Sequence, residues 1–141
     1  MRIEAARDED APAVKALVQG CGLPVEDIDA VSGFLVARNG GAIAGTVGLE
    51  RFGGFGLLRS LAVRREERNS GLGRTLCERV LDGAKKEGLR TMFLLTTDAQ
   101  PFFRKLEFSD SPRDSAPGEI RNTAQFRTLC PDTATLMSRD L

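Results

Sequence analysis

The apolar positions along the chain change period several times, and each change marks an element. Residues 3–6 read as a short strand. Val14, Leu17, Val18 and Cys21 then recur at helical spacing, with Asp8 ahead of them as a cap and Gly20 and Gly22 behind them as a stop. Residues 24–30 predict a second short helix, and residues 34–38 an apolar strand that runs into the hairpin signal Asn39-Gly40-Gly41. Strands are expected over 42–52 and, after Gly53-Gly54, over 55–63, so that three successive strands form an antiparallel meander.

From residue 71 to 87 the period becomes helical again. Leu72, Leu76, Cys77, Val80, Leu81 and Ala84 mark one face, while Arg74, Glu78, Arg79, Asp82 and Lys86 fall outside it, and Gly88 is the expected stop. A buried strand is predicted over 91–96 and a short helix over 99–105. Pro112, Pro117 and Pro131 make the following region loop-rich, expected to lie over the site, and alternation returns over 133–139 as a closing strand. Without a repeat or linker, residues 1–141 read as a single α/β (α+β) domain with a mostly antiparallel sheet.

Composition narrows the chemistry. Lys plus Arg and Asp plus Glu number 20 each, so there is no basic field to draw the chain onto nucleic acid or an anionic membrane. The charged start lacks the apolar run of a signal peptide, and no stretch is apolar enough to span a bilayer, which points to the cytoplasm. Cys21, Cys77 and Cys130 are widely spaced and there is no His, so neither a metal site nor a disulfide framework is indicated. The absence of His, Tyr and Trp leaves carboxylates, Arg, Lys, Ser, Thr, Cys and backbone groups to do any chemistry.

The most specific stretch joins the predicted strand 55–63 to the helix that follows: Leu61-Ala62-Val63, then Arg68-Asn69-Ser70-Gly71-Leu72-Gly73-Arg74. A glycine-bearing loop that opens a helix aims unpaired backbone N–H groups outward at the positive end of the helix dipole, which suits a diphosphate. A Cβ at Gly71 or Gly73 would intrude on such a ligand. The bland alternative is a shaped turn with Arg68 as a solvated charge. Neither the P-loop nor the dinucleotide fingerprint fits this spacing.

This stretch resembles the Arg/Gln-x-x-Gly-x-Gly motif of the GNAT superfamily of acetyl-CoA-dependent N-acetyltransferases. Residues 3–14 resemble that family's opening strand and helix, and Phe102-Phe103-Arg104-Lys105-Leu106-Glu107-Phe108 its later helix and strand. The resemblance implies a mixed sheet of six to seven strands flanked by helices and acetyl-CoA as acetyl donor. It implies that Leu61, Ala62 and Val63 hold the pantetheine arm and polarise the thioester, that residues 68–74 hold the diphosphate, and that Thr96 and its neighbour Thr97 lie near the cofactor. Phe103 stands where many members have a Tyr that protonates the leaving thiolate, and Glu107 where many have Gly. Finer likenesses, in Gly48-Leu49-Glu50-Arg51, Leu58-Arg59-Ser60-Leu61 and Arg127-Thr128-Leu129-Cys130-Pro131, resemble arsenic-resistance-associated acetyltransferases and amino-acid N-acetyltransferases. They imply a small amino-acid-like amine, glutamate-like or arsenical, as partner, and are compatible with a homodimer.

Three residues are catalytic candidates: Glu50, Arg59 and Ser60. Glu50 shares a face with Thr46 and Gly48 that would leave room for a ligand, and could accept the amine's proton; the alternative is a surface Glu. Arg59, a charge inside an apolar strand, needs an anionic partner. That partner is either a substrate carboxylate or a protein acid such as Glu50. A silent acyl-CoA-binding protein and an enzyme acting on peptide N-termini stay open as alternatives, and Cys130 reads as a thiol near the substrate loop or a small buried hydrophobe.

Overall fold

A computed structural model of the chain describes residues 1–28, 33–124, 126–127 and 133–141. Its elements run β1 (Arg2–Ala5), α1 (Ala11–Gly20), β2 (Gly33–Asn39), β3 (Ala42–Phe52), β4 (Phe55–Val63) and α2 (Leu72–Lys86). They continue with β5 (Thr91–Thr96), α3 (Gln100–Lys105), β6 (Ser109–Asp110), α4 (Gly118–Arg121) and β7 (Thr135–Asp140). The strands form one seven-stranded sheet in the order β1-β2-β3-β4-β5-β7-β6. All neighbours are antiparallel except β4 and β5, which are parallel because α2 carries the chain back across the sheet between them.

Strand alternation distributes the core over both faces. Leu58, Met92, Leu94 and Met137 pack with the buried stripe of α2 and with Phe103 of α3 on one face. On the other face, Phe34, Val36 and Ala62 pack against Val14 and Val18 of α1. Farther along that second face, Leu57, Phe93 and Leu136 are covered by Ala116 and Ile120. Each Leu or Val so buried contributes roughly 1.5–3 kcal/mol. Among the described residues, no helix is long and apolar enough to cross a membrane.

The meander, the long helix and the strand over 91–96 lie where the periodicity puts them. Four expectations need correction. Helix α1 starts at Ala11 rather than after Asp8, since Asp8–Asp10 form one turn of 3-10 helix and it is the Asp10 carboxylate that accepts the Arg7 backbone N–H at 2.7 Å. The helix expected over 24–30 is replaced, within its described part, by a turn at 26–27 leading to a 3-10 turn at Ile28. The region after Phe108 contains a short strand, β6, paired with β7. Its proline-rich continuation packs over Leu57, Phe93 and Leu136. Glu107 has φ 69°, a left-handed turn conformation that glycine would adopt without strain.

Asp10 also accepts from Arg38 Nη1 at 3.1 Å and Nη2 at 2.5 Å, while Glu4 accepts from Arg38 Nε at 2.5 Å, tying the start of α1 to the β1–β2 edge. The Arg38 bonds, supplemented at Asp10 by the Arg7 N–H, hold both carboxyls below their ordinary values. A carboxyl depressed in the folded state stabilises above its unfolded pKa, 3.8 for Asp, and that stabilisation fades as pH falls through the folded value. Thermal melts should therefore show Asp10→Asn less stable than the parent near neutral pH, with the two curves converging in acid. Parallel curves would remove Asp10 from the linkage.

Candidate active site

The site is opened by a defect in strand pairing. β4 and β5 pair at only three positions, Phe55 with Thr91, Gly56 with Met92 and Leu57 with Phe93, although β4 continues to Val63 and β5 to Thr96. On its other side β4 pairs with β3, and there Thr46 faces Ala62 while Gly48 faces Arg59. Val47 therefore opposes both Ser60 and Leu61, a β-bulge, and Ser60 sits at φ 55°. A bulge bends and twists its strand, so β4 turns away from β5 just beyond their last paired residues. Past that point the β5-facing edge of β4 lacks a ladder partner among the described residues.

A cavity of about 660 Å³ fills the gap. Leu58, Arg59, Ser60 and Leu61 of β4 line one wall, and Leu94, Leu95 and Thr96 of β5 the other. Phe103 and Thr97 to Ala99 lie at the α3 end, and Cys21 to Pro24 with Glu26 form a rim from the loop after α1. Phe103 is buried and fixed edge-to-face against Phe102 and Phe108. The Thr96 hydroxyl accepts the Ala99 N–H at 3.1 Å, steadying the turn into α3.

Arg59 is the electrostatic centre. Its side chain is 0% exposed, and Nη1 and Nη2 donate to the two Asp27 oxygens at 2.5 and 2.6 Å, a bidentate pair. Nη1 also donates to Glu50 at 3.0 Å and Nε to the Ser60 hydroxyl at 3.1 Å. Burial works against the guanidinium charge, but the Asp27 and Glu50 bonds outweigh it and hold the pKa above its ordinary value. Gly48 makes this packing fit, because a Cβ there would lie 2.9 Å from the Phe34 ring and 3.2 Å from Arg59 Cγ. At Gly48 that face is thus filled by Phe34 and the Arg59 stem, where room for a ligand was expected. Glu50, 21% exposed, stands behind Arg59 rather than in the cavity lining.

The glycine loop follows directly. The N-cap of α2 is Gly71 at φ 84°, with no side-chain cap, so the amides that begin the helix are left for solvent or a ligand. Protein neighbours would meet a Cβ at Gly73 only at ordinary contact distance, 3.6 Å or more, so nothing in the protein demands glycine there. Asn69, at φ 67°, Ser70, whose hydroxyl donates to Glu67 O, and Arg74, paired with Glu78, shape the exposed approach to Leu72. Arg68 Nε donates to Val63 O at 3.2 Å and Nη2 to Cys21 Sγ at 3.5 Å, which docks the loop against the cavity rim.

The structure thus brings Arg59, Ser60, Leu61, Thr96 and Phe103 to one cavity, sets Ala62, Val63 and residues 68–74 beside it, and leaves Glu50 one layer back. Cys130 lies outside the described residues. Sequence reasoning missed Glu26 and Asp98, two exposed carboxylates of the lining, and Asp27. Nothing local could have flagged Asp27, whose partner is 32 residues away. Contrary to expectation, no described residue of 109–127 lines the cavity.

This arrangement is that of an acyl-CoA-dependent acetyltransferase fold, and residues 4–108 match the acetyltransferase (GNAT) family. The chain belongs to that family. It is 40% identical over 72 residues to the amino-acid acetyltransferase of Pseudomonas syringae pv. tomato, a stretch that covers 51% of this chain and only 17% of that relative. Its fold is similar to that of Neisseria gonorrhoeae N-acetylglutamate synthase complexed with coenzyme A and N-acetyl-glutamate, with TM-score 0.86 and 22% identity over 99% of this chain and 35% of that one. It is similar, too, to Rv2747 from Mycobacterium tuberculosis in complex with CoA and NLQ, with TM-score 0.83 and 24% identity over 100% of this chain and 99% of that one.

The strained residue of the bulge gives a test. Ser60→Gly and Ser60→Ala lose the same hydroxyl, but only glycine accepts φ 55° without cost, so in urea unfolding the Gly variant should be the more stable by about 1 kcal/mol. In an ordinary strand the order reverses, and Ala proving the more stable would show that this bulge is not held as described.

Proposed function

We propose that this chain transfers the acetyl group of acetyl-CoA to the amino group of a small amino-acid-like molecule, by direct attack of the amine on the thioester. The observation that carries this is the early end of β4–β5 pairing, which frees the β4 edge at Leu61, Ala62 and Val63 immediately before the uncapped N-terminus of α2. A diphosphate fits the helix start near Arg68, Gly71 and Gly73, and a pantetheine arm can complete the unpaired strand edge. A strand N–H aimed at the thioester oxygen supplies a preorganised donor for the tetrahedral intermediate. The likeness to amino-acid acetyltransferases supports an amino-acid-like acceptor. The arsenic-resistance likeness adds arsenical amino acids to the acceptors worth testing. Because the described residues of 109–127 leave the cavity uncovered, short peptides belong in the same panel. A cytoplasmic setting is part of the same reading, and the balance of 20 basic and 20 acidic side chains supports a chain without nucleic-acid or membrane partners.

The attacking amine must be neutral, and near neutral pH an alkylamine is mostly protonated. We assign Glu50 as the acceptor of that proton, relayed by water because its carboxylate lies behind Arg59. No Tyr is available to protonate the leaving group, and Phe103 occupies that wall of the cavity. A thiol with a pKa of about 8.5 departs readily as thiolate, so positioning and a base suffice.

Release of free thiol from acetyl-CoA, followed across an amine panel, tests the activity. Glu50→Gln should reduce kcat about 10²-fold near neutral pH, with the deficit shrinking above the amine's own pKa, where no base is needed. An equal deficit at every pH would clear Glu50 of this role.

A further inference from the structure

Arg59, one of the residues lining the cavity, carries the planar guanidinium of a carboxylate receptor, with its side chain fully buried. Its fork, however, is filled. Asp27 takes both terminal nitrogens at 2.5 and 2.6 Å, Glu50 takes a second bond from Nη1, and Ser60 takes Nε. Asp27 reaches it from the loop after α1, whose residues Cys21 to Pro24 and Glu26 form the cavity rim. The remaining charges of the lining are the carboxylates of Glu26 and Asp98, without a cationic partner among the described residues. Two further cations are engaged elsewhere. Arg68 is turned to Val63 O and Cys21 on the cofactor side, and Arg113 donates to Ala134 O and Phe126 O while lying over the Phe126 ring.

We infer that Asp27 is a specificity-determining residue: its carboxylate occupies the place on Arg59 that an acceptor's side-chain carboxylate would take, and so directs the site toward amino-acid-like amines whose side chain is neutral or cationic. This rests on the transfer reading above and sharpens its substrate class. An acidic acceptor would have to displace an internal carboxylate already held bidentate on a buried cation, and would meet Glu26 and Asp98 as like charges. A carboxamide or a basic side chain meets no such barrier. The same geometry implies a latent receptor, because removing Asp27 leaves the buried Arg59 guanidinium short of one anion.

The test compares glutamine, glutamate and lysine amide as acceptors, by thiol release and by calorimetric binding in the presence of coenzyme A, for the parent, Asp27→Ala and Asp27→Asn. Acetate is added separately in thermal melts. In the parent, lysine amide and glutamine should exceed glutamate in affinity and in kcat/KM by about tenfold or more. In both variants the preference should swing at least about tenfold toward glutamate. Acetate, placed where the Asp27 carboxylate was, should raise the Tm of Asp27→Ala and leave the parent unmoved. A purely structural Asp27 would lower stability without changing the order of acceptors or creating acetate dependence, and that result would overturn the inference, as would glutamate binding best to the parent. Swapped binding order and acetate rescue with no thiol release from any amine would uphold the receptor and sink the transfer reading instead.

Discussion

The whole arrangement depends on where β4 stops pairing with β5. A parallel pair normally runs the length of its shorter member. Here it ends after Leu57 and Phe93 because the bulge at Ser60 and Leu61 turns β4 aside. The sheet stays whole on both sides of the gap, through β3 on one and β7 on the other, so the opening is a local parting within a paired sheet. Polar backbone at a sheet edge seeks a partner, and a pantetheine arm has amides at a spacing that can provide one. The cavity, the free strand edge and the following helix N-terminus thus have a single origin.

The opening exposes a cost that Arg59 absorbs. A bulged, parted strand loses ladder bonds, yet the Arg59 side chain reaches across to Asp27 and Glu50 and ties β4 to the loop after α1 and to the end of β3. Buried ion pairs are weak sources of stability, but they select one arrangement, since misplacing any member strands a charge. Gly48 and Phe34 complete that selection by giving the guanidinium stem one way through the packed face. In this account Arg59 organises the acceptor side first, and any contact it makes with substrate is conditional on Asp27.

Much of the fold was legible because it is local. The hairpin glycines, the alternation of β3 and β4 and the apolar stripe of α2 each declare an element within ten or so residues, and the structure repeats their bounds closely. The cofactor-side candidates were legible for the same reason, a contiguous motif beside a helix start. The acceptor side was not. Arg59 announced that it needed an anion, but the choice between ligand and protein was decided by Asp27, in a loop misread as helix, and by a two-for-one register at Ser60 that no propensity encodes. Likewise Ser109 and Asp110 form a strand only because β7 is present to pair with them, and the proline-rich stretch lies on Leu57 and Phe93 because those side chains alternate to that face.

The central claim, that the gap between β4 and β5 is where a coenzyme A molecule completes the sheet, is tested most directly by following backbone amide resonances of the labelled protein during titration with coenzyme A. Shifts concentrated on Leu61, Ala62 and Val63 and on the start of α2 from Gly71 to Arg74, saturating together, are the result expected. Saturable binding that leaves those amides unmoved, or that centres on the β1–β2 edge, would contradict it.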